Sequence, residues 1–266
     1  MKLEILLSCM YQEDLTIIDK SRITGDVLII NQTDCNDFCE NNSENRRVRM
    51  YSTTERGLSR SRNMAIYNSD ADVCVLSDDD EVFEENYDSI ILENFGKIRD
   101  ADVIAFDVQN KVTRLGTEVC YIGYLKSLRL SSCQLAFRRK SIVDKKIEFD
   151  VLMGTGTGNG CGEENKFLLD CLRAGLKIYY VPVRIAGLEE KESTWFSGFD
   201  EKFFYQRGSS TRYMPGLMPA MIYGLYYIVT KKKMYQDTIS MKAAACALAK
   251  GIKDNNIYRQ KKGRNG

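Results

Sequence analysis

Short apolar runs alternate with amphipathic segments through most of the chain. Residues 3–7 and 26–30 are mainly apolar and read as strands, and residues 48–52 read as a third short one. Residues 34–47 are polar and Asn-rich, which predicts a loop. Residues 57–68 place Leu58, Ala65 and Ile66 on one helical face. Residues 71–76 form a continuous apolar run, the pattern of a strand buried on both faces. Residues 86–98 predict a helix, and residues 102–108 another buried strand. Past Gln109 the regularity weakens. Residues 134–137 suit a strand of a mixed sheet. Residues 163–174 predict a helix with Phe167, Leu168, Cys171 and Leu172 inward and Gly175 as its stop. Residues 177–183 return as a strand. This order predicts an α/β fold, with a mixed, mostly parallel sheet covered by helices on both faces.

The strand at 71–76 runs into Ser77, Asp78, Asp79, Asp80 and Glu81. In open α/β sheets, ligands bind at the carboxyl ends of strands. Three carboxylates at one point repel each other unless a cation sits among them. Hard oxygen ligands suit Mg²⁺ or Mn²⁺ held jointly by carboxylates and substrate phosphates. The plainer alternative is an acidic turn that caps a helix. Arg56, Arg60 and Arg62 precede this strand, at the start of a predicted helix. A helix N-terminus and arginine forks both suit phosphate. Arg60 alone reads as a solvated side chain.

Composition narrows the chemistry. The 266 residues contain nine cysteines and no histidine. The odd cysteine count and the lack of a CxxC pair argue against a disulfide framework and for a reducing compartment. Cys74 and Cys171 read as core residues. Cys35 and Cys39 lie in a polar stretch without the partners a zinc site needs. Without histidine, Ser-His-Asp and Cys-His catalysis are excluded, so a general base must be a carboxylate, lysine, tyrosine or cysteine. The N-terminus reads as a first strand rather than a signal peptide. The glycine-rich stretch at 154–160 contains GxGxxG spacing but lies mid-chain, not after the first strand, so a dinucleotide site is rejected. It suits an active-site loop or a plain connector.

Three segments in order carry a family resemblance: Gly57-Leu58-Ser59-Arg60-Ser61-Arg62-Asn63, Leu76-Ser77-Asp78-Asp79-Asp80, and Gly162-Glu163-Glu164. Together they resemble a family 2 glycosyltransferase with the GT-A fold, over residues 1–212. Ser193-Thr194-Trp195-Phe196 and residues 199–205 are similar to bacterial members that make surface polysaccharides. The resemblance implies an inverting transfer from a nucleotide-diphosphate sugar to a hydroxyl of a glycan or lipid-linked acceptor. It implies Mg²⁺ or Mn²⁺ at Asp79, supported by Asp80, with Asp78 toward ribose or sugar; the first acidic position aligns with Ser77 or Asp78. Donor contacts fall on Ser8, Met10, Asn31, Arg56, Arg62 and Asn63. Glu164 matches the base position, where aspartate is usual. Glu163 is its rival, and paired carboxylates also suit any helix start. Trp195 fits either stacking on an acceptor sugar or a core position. Many relatives have a metal-binding histidine after the strand at 177–183; here Glu189, Glu190 or water must replace it. Two other readings remain. One is a catalytically weak nucleotide-sugar-binding relative. The other is a nucleotidyltransferase, which would need a glycine- and lysine-rich loop where residues 8–14 offer none.

After the catalytic domain at 1–212, residues 213–266 read as a helical, basic extension. Residues 231–266 hold ten Lys/Arg against two Asp/Glu, a balance of +8. The apolar run at 217–229 is too short to span a bilayer. Its tyrosines and the following Lys231, Lys232 and Lys233 suit an interfacial helix on an anionic leaflet. The alternative is packing on the catalytic domain or in a dimer interface. The expected location is cytoplasmic, peripheral on the inner face of the plasma membrane, with no nucleic-acid partner.

Overall fold

The computed structural model describes residues 1–43, 46–110, 113, 115–154, 157, 159, 162–189 and 198–264. The chain divides into two compact units, Met1–Phe149 with Glu164–Lys191, and Asp150–Glu163 with Glu192–Gly266.

The first unit is built on strands β1 (Leu3–Met10), β2 (Asp26–Gln32), β3 (Asp37–Ser43), β4 (Arg46–Thr53), β5 (Val73–Asp78), β6 (Glu81–Phe83), β7 (Val103–Gln109), β8 (Cys120–Tyr121), β9 (Leu135–Arg138) and β10 (Ile178–Leu188). Their order in the sheet is β3-β4-β2-β1-β5-β9-β7-β10-β6, with β8 pairing on β10. Strands β4, β2, β1 and β5 are mutually parallel. β9 runs antiparallel to both β5 and β7, so β7 and its parallel neighbour β10 point the same way as β5. The sheet is therefore mixed and mostly parallel, as the pattern predicts. Its helices are α1 (Thr16–Lys20), α2 (Leu58–Asn68), α3 (Tyr87–Lys97), α4 (Tyr124–Ser127), α5 (Arg139–Asp144) and α6 (Glu163–Arg173).

Strand alternation divides the core in two. Leu3, Ile5 and Leu7 of β1 pack with Ile17, Ile18, Ile91 and Phe95 of α1 and α3. Leu6 packs with Ala65, Ile66, Phe167, Leu168 and Cys171 of α2 and α6. Both faces are thus covered, which is why these strands read as near-continuous apolar runs. One polar pair lies inside. Glu4, 0 % exposed, accepts two hydrogen bonds from Arg49, at 2.7 and 2.9 Å, and one from the Ser69 hydroxyl at 2.6 Å.

Two local expectations change. Part of the predicted loop at 34–47 forms β3, antiparallel to β4, with all seven of its residues exposed. A strand that buries no face leaves no apolar alternation to read. The strand predicted at 177–183 continues to Leu188, with register shifts after Val181 and Arg184. Pro182 lies within this irregular stretch, where the broken pairing tolerates a residue that has no N–H to give the ladder.

The second unit contains α7 (Glu201–Tyr213), α8 (Leu217–Thr230), α9 (Lys232–Tyr235), α10 (Met241–Asp254) and α11 (Asn256–Arg264). Phe204, Tyr227, Tyr235, Ala244 and Leu248 form its core. Gly208 and Gly251 bring α7 and α10 into backbone contact. A Cβ on Gly251 would lie 2.0 Å from the Tyr205 carbonyl oxygen, and one on Gly208 2.2 Å from that of Leu248. Residues 150–163 are tied to these helices. Ser210 donates to the Asn159 carbonyl at 2.9 Å, and Tyr213 donates to Asp150. In the C-terminal part of the chain this unit begins at Glu192.

Candidate active site

The chain order puts a switch point beside β1. β2 and then β4 build outward on one side of it, while β5 returns to the other. Ligands of open α/β sheets enter the crevice at such a point, outside the carboxyl ends of the strands. Ser8 of β1 sits in register with Asp78 of β5, so the acidic segment opens at this crevice. The chain then turns at Asp79 and Asp80 and re-enters the sheet as β6, against the end of β10. The Asp80 carbonyl accepts from the Glu189 backbone N–H at 2.9 Å. Glu189, expected to stand in for the missing histidine, is therefore held beside the aspartate turn. Glu190 lies outside the described residues.

α2 brings the basic groups to the same place. Gly57 caps its start at φ +118°, and the Gly57 N–H donates to Gln32 Oε1 at 2.7 Å. Ser61 Oγ donates to Ser8 Oγ at 2.8 Å. One turn in, Arg62 Nη2 donates to Asp78 Oδ1 and Oδ2 at 3.1 and 2.9 Å and to Ser132 Oγ at 2.8 Å. Its guanidinium lies 5.4 Å from the centre of the Phe149 ring. Arg60 is exposed, as its position predicts.

Several expected donor contacts are occupied within the protein. Asn63 holds the Phe149 backbone from both sides, donating to its carbonyl at 2.9 Å and accepting from its N–H at 2.8 Å. Asn31 does the same to Gln12, at 2.8 and 3.0 Å. Arg56 donates to Asp34 at 2.7 Å and to the Thr33 and Thr53 carbonyls, with its guanidinium 5.6 Å from the Tyr11 ring centre. Asn63 and Asn31 thus brace segments that border the crevice, while Arg56 and Met10 are exposed at its rim.

Glu81 stands out among the acids. It is 1 % exposed, and among the described residues neither carboxylate oxygen has a partner at hydrogen-bond geometry, with the Ser77 side chain only partly offsetting its burial. Burial, reinforced by the charge of Asp78, pushes its pKa well above the usual carboxylate value. The sequence signal for Glu81 was only its place as the fourth acid of the run. Burial also pushes the Cys9 thiol up to about 12, with Asp79 adding to the effect. Asp79 itself is exposed, and Asp78 and Asp80 are half-buried. Among the described residues, no three acidic or thiol groups stand close enough to cage a metal ion. The donor set is all-oxygen, with Asp78 already engaged by Arg62. That suits a hard cation held by one or two carboxylates together with ligand phosphates, rather than a preformed cage.

The two candidate base residues differ in setting. Glu163 is 5 % exposed, accepts from the Gly162 N–H at 3.1 Å, and fills the space beside Gly154. Gly162 at φ +112° and Gly154 at φ +95° hold backbone that disfavours a side chain. Glu164 is half-buried in the first turn of α6, whose Phe167, Leu168 and Cys171 anchor the helix in the sheet core. Trp195 and its neighbours 193, 194 and 196, with Thr155, Gly156, Gly158 and Gly160 of the glycine loop, lie outside the described residues.

Residues 27–134 match the model of glycosyl transferase family 2. No curated protein matches the chain in sequence. Its fold is similar to solved structures of TarS residues 1–349 from S. aureus. The complex of TarS with UDP-GlcNAc aligns with a TM-score of 0.58 at 12 % identity, covering 90 % of this chain and 74 % of that one. The complex with UDP gives 0.57 at 11 %, covering 91 % and 76 %. The structure described without ligand gives 0.54 at 11 %, covering 95 % and 71 %.

Proposed function

We propose that this chain, whose residues 27–134 match the model of glycosyl transferase family 2 on a GT-A-like sheet, is a glycosyltransferase that inverts the anomeric centre of a nucleotide-diphosphate sugar as it transfers the sugar to a hydroxyl. The observation that carries this reading is the convergence of Ser8, Arg62, Asp78 and the Asp79–Asp80 turn at the β1/β5 switch point. A buried cation and a row of carboxylates at a sheet edge suit a diphosphate that must leave with negative charge. The TarS complexes contain UDP-GlcNAc and UDP, so these are the first ligands to test.

In this mechanism Asp79 and Asp80 would hold Mg²⁺ or Mn²⁺, which when bound neutralises the departing diphosphate. Arg62 fixes Asp78 in one orientation through two hydrogen bonds to a single carboxylate. That leaves the Asp78 edge set against ribose or sugar. Glu164 takes the proton of the acceptor hydroxyl as it attacks from the face opposite the diphosphate. Glu163 instead accepts from the Gly162 N–H and packs on Gly154. The catalytic domain is proposed to reach residue 212, with Trp195 on the acceptor side. The acceptor is proposed to be a glycan or lipid-linked glycan of a bacterial surface polysaccharide, met at the cytoplasmic face of the membrane. No helix among the described residues is long and apolar enough to cross a membrane.

Release of nucleoside diphosphate from a panel of UDP-, GDP- and dTDP-sugars in the presence of Mn²⁺ tests the reading. Release from one donor, lost in Glu164→Gln, supports it. Metal-dependent binding without release from any donor would favour a weak nucleotide-sugar-binding relative.

A further inference from the structure

α8 carries an apolar face that the second unit does not cover. Ala220, Gly224, Tyr227 and Ile228 point into the core, at the spacing of one helical face. Gly224 is pressed against Leu248 of α10, where a Cβ would lie 2.6 Å from Leu248 Cδ2. Arg207 of α7 donates to the Tyr223 hydroxyl at 2.8 Å, and its guanidinium lies 4.5 Å from the Tyr227 ring centre. These contacts fix the rotation of α8. Its other face shows Leu217, Met218, Met221, Ile222, Leu225, Tyr226 and Val229, each 44–69 % exposed. The spacing of one and then three positions repeats along the whole helix, so these side chains form one continuous stripe. Single exposed apolar residues are ordinary, whereas a contiguous stripe of seven marks a surface that binds something.

We propose that this stripe is the docking face for an anionic lipid bilayer, lying in the plane of its interface. This deepens the membrane part of the function proposed above and does not depend on the identity of the sugar donor. Charge selects lipid over a second copy of the chain, and composition and length set how the helix would lie. The helix and its flank at 217–236 contain no acidic residue, while Lys231, Lys232 and Lys233 follow the stripe directly, the last two exposed. That charge complements anionic headgroups and would repel an identical copy laid beside it. The stripe is made of Met, Leu, Ile, Val and Tyr, side chains that enter a headgroup–acyl boundary without leaving a buried polar group unpaired. At 14 residues the helix extends about 21 Å, short of the roughly 30 Å a spanning helix must cover, so it lies on the bilayer rather than through it.

The test uses the full chain with vesicles of phosphatidylcholine containing phosphatidylglycerol, beside vesicles of phosphatidylcholine alone. Wild type is expected to co-sediment with the anionic vesicles at low salt and to release as salt rises. The double variant Ile222→Glu/Leu225→Glu places two charges in the middle of the exposed stripe, away from the core. It is expected to bind these vesicles at least about tenfold more weakly and to keep the wild-type melting temperature and UDP affinity. Replacing Lys232 and Lys233 by Gln should weaken binding to the anionic vesicles selectively. Absence of wild-type sedimentation at low salt, or sedimentation unchanged by the double variant, would overturn the proposal. So would sedimentation-velocity evidence of a dimer that the double variant dissociates, with no vesicle binding by either protein. UDP affinity reports on the donor site separately, so vesicle binding without UDP binding would count against the function proposed above and leave this surface standing.

Discussion

Arg62 and Asp78 form the ion pair that joins α2 to the end of β5, with Arg62 Nη2 2.9 Å from the nearer carboxylate oxygen. The arginine side chain is 2 % exposed and the aspartate 31 %, so the charge pair sits half in the protein and half at the crevice. The pair fixes the Asp78 carboxylate at the crevice while Arg62 stays shielded from water. Arg62→Met leaves the carboxylate without its donor and is expected to cost about 1.5–3 kcal/mol in urea unfolding. Arg62→Lys keeps the charge without the planar fork and should lose part of the stability and most of the diphosphate affinity. Unfolding and UDP binding both unchanged in Arg62→Met would remove the pair from the account.

The base assignment rests on the different settings of two neighbours. Glu164→Gln preserves shape and removes the proton acceptor. It is expected to hold UDP within a few-fold of wild type and to slow transfer on the order of a hundredfold or more. Glu163→Gln should instead weaken the packing at Gly154 and Gly162, because Glu163 accepts from Gly162 and packs on Gly154. Its signature would be a lower melting temperature. Normal transfer by Glu164→Gln with none by Glu163→Gln would reverse the roles.

The buried Glu4–Arg49 pair offers a separate check on the sheet. Removing one partner strands a charge in the core, so Arg49→Met is expected to lose about 3–5 kcal/mol by urea denaturation. The double variant Glu4→Leu/Arg49→Met should recover much of that loss, because no lone charge remains. A double variant as unstable as the single one would show that packing, not charge, dominates the site.

In the second unit the close approach of α7 and α10 depends on hydrogen side chains. Gly251→Ala puts a methyl group into the Tyr205 carbonyl and is expected to destabilise the unit by about 1–3 kcal/mol or more. A thermal melt followed by circular dichroism reads this directly. An unchanged melting profile would mean that the two helices separate easily.

The sheet was legible where its strands are buried on both faces. β1, β2, β5 and β7 each read as a mainly apolar run, interrupted by Glu4 in β1 and Asp107 in β7, and the acids at the end of β5 stood out because its run stops so abruptly. β3 was not legible, because Asp37, Glu40, Asn41 and Asn42 of an edge hairpin bury nothing and mimic a loop. The amphipathic signal of α6 named its inward residues correctly, since Phe167, Leu168 and Cys171 are all fully buried. The partners of the site residues lay beyond the sequence. Asn63 meets Phe149 across 86 positions, and Arg62 meets Ser132 across 70. Neither spacing leaves a local pattern. Glu81 shows the same limit from the other side, for an acid in an acidic run reads as solvated until the fold buries it.

The central claim is that a nucleoside diphosphate binds, with a divalent cation, at the carboxyl end of β5. Calorimetric titration of UDP into wild type and Asp79→Ala, with Mn²⁺ and with EDTA, tests it most directly. Asp79 is exposed in the turn after β5, so its removal leaves the core untouched. UDP affinity in wild type is expected to require Mn²⁺ and to disappear in Asp79→Ala, with equal melting temperatures for the two proteins without ligand. Equal UDP affinity in both proteins, indifferent to Mn²⁺, would contradict it.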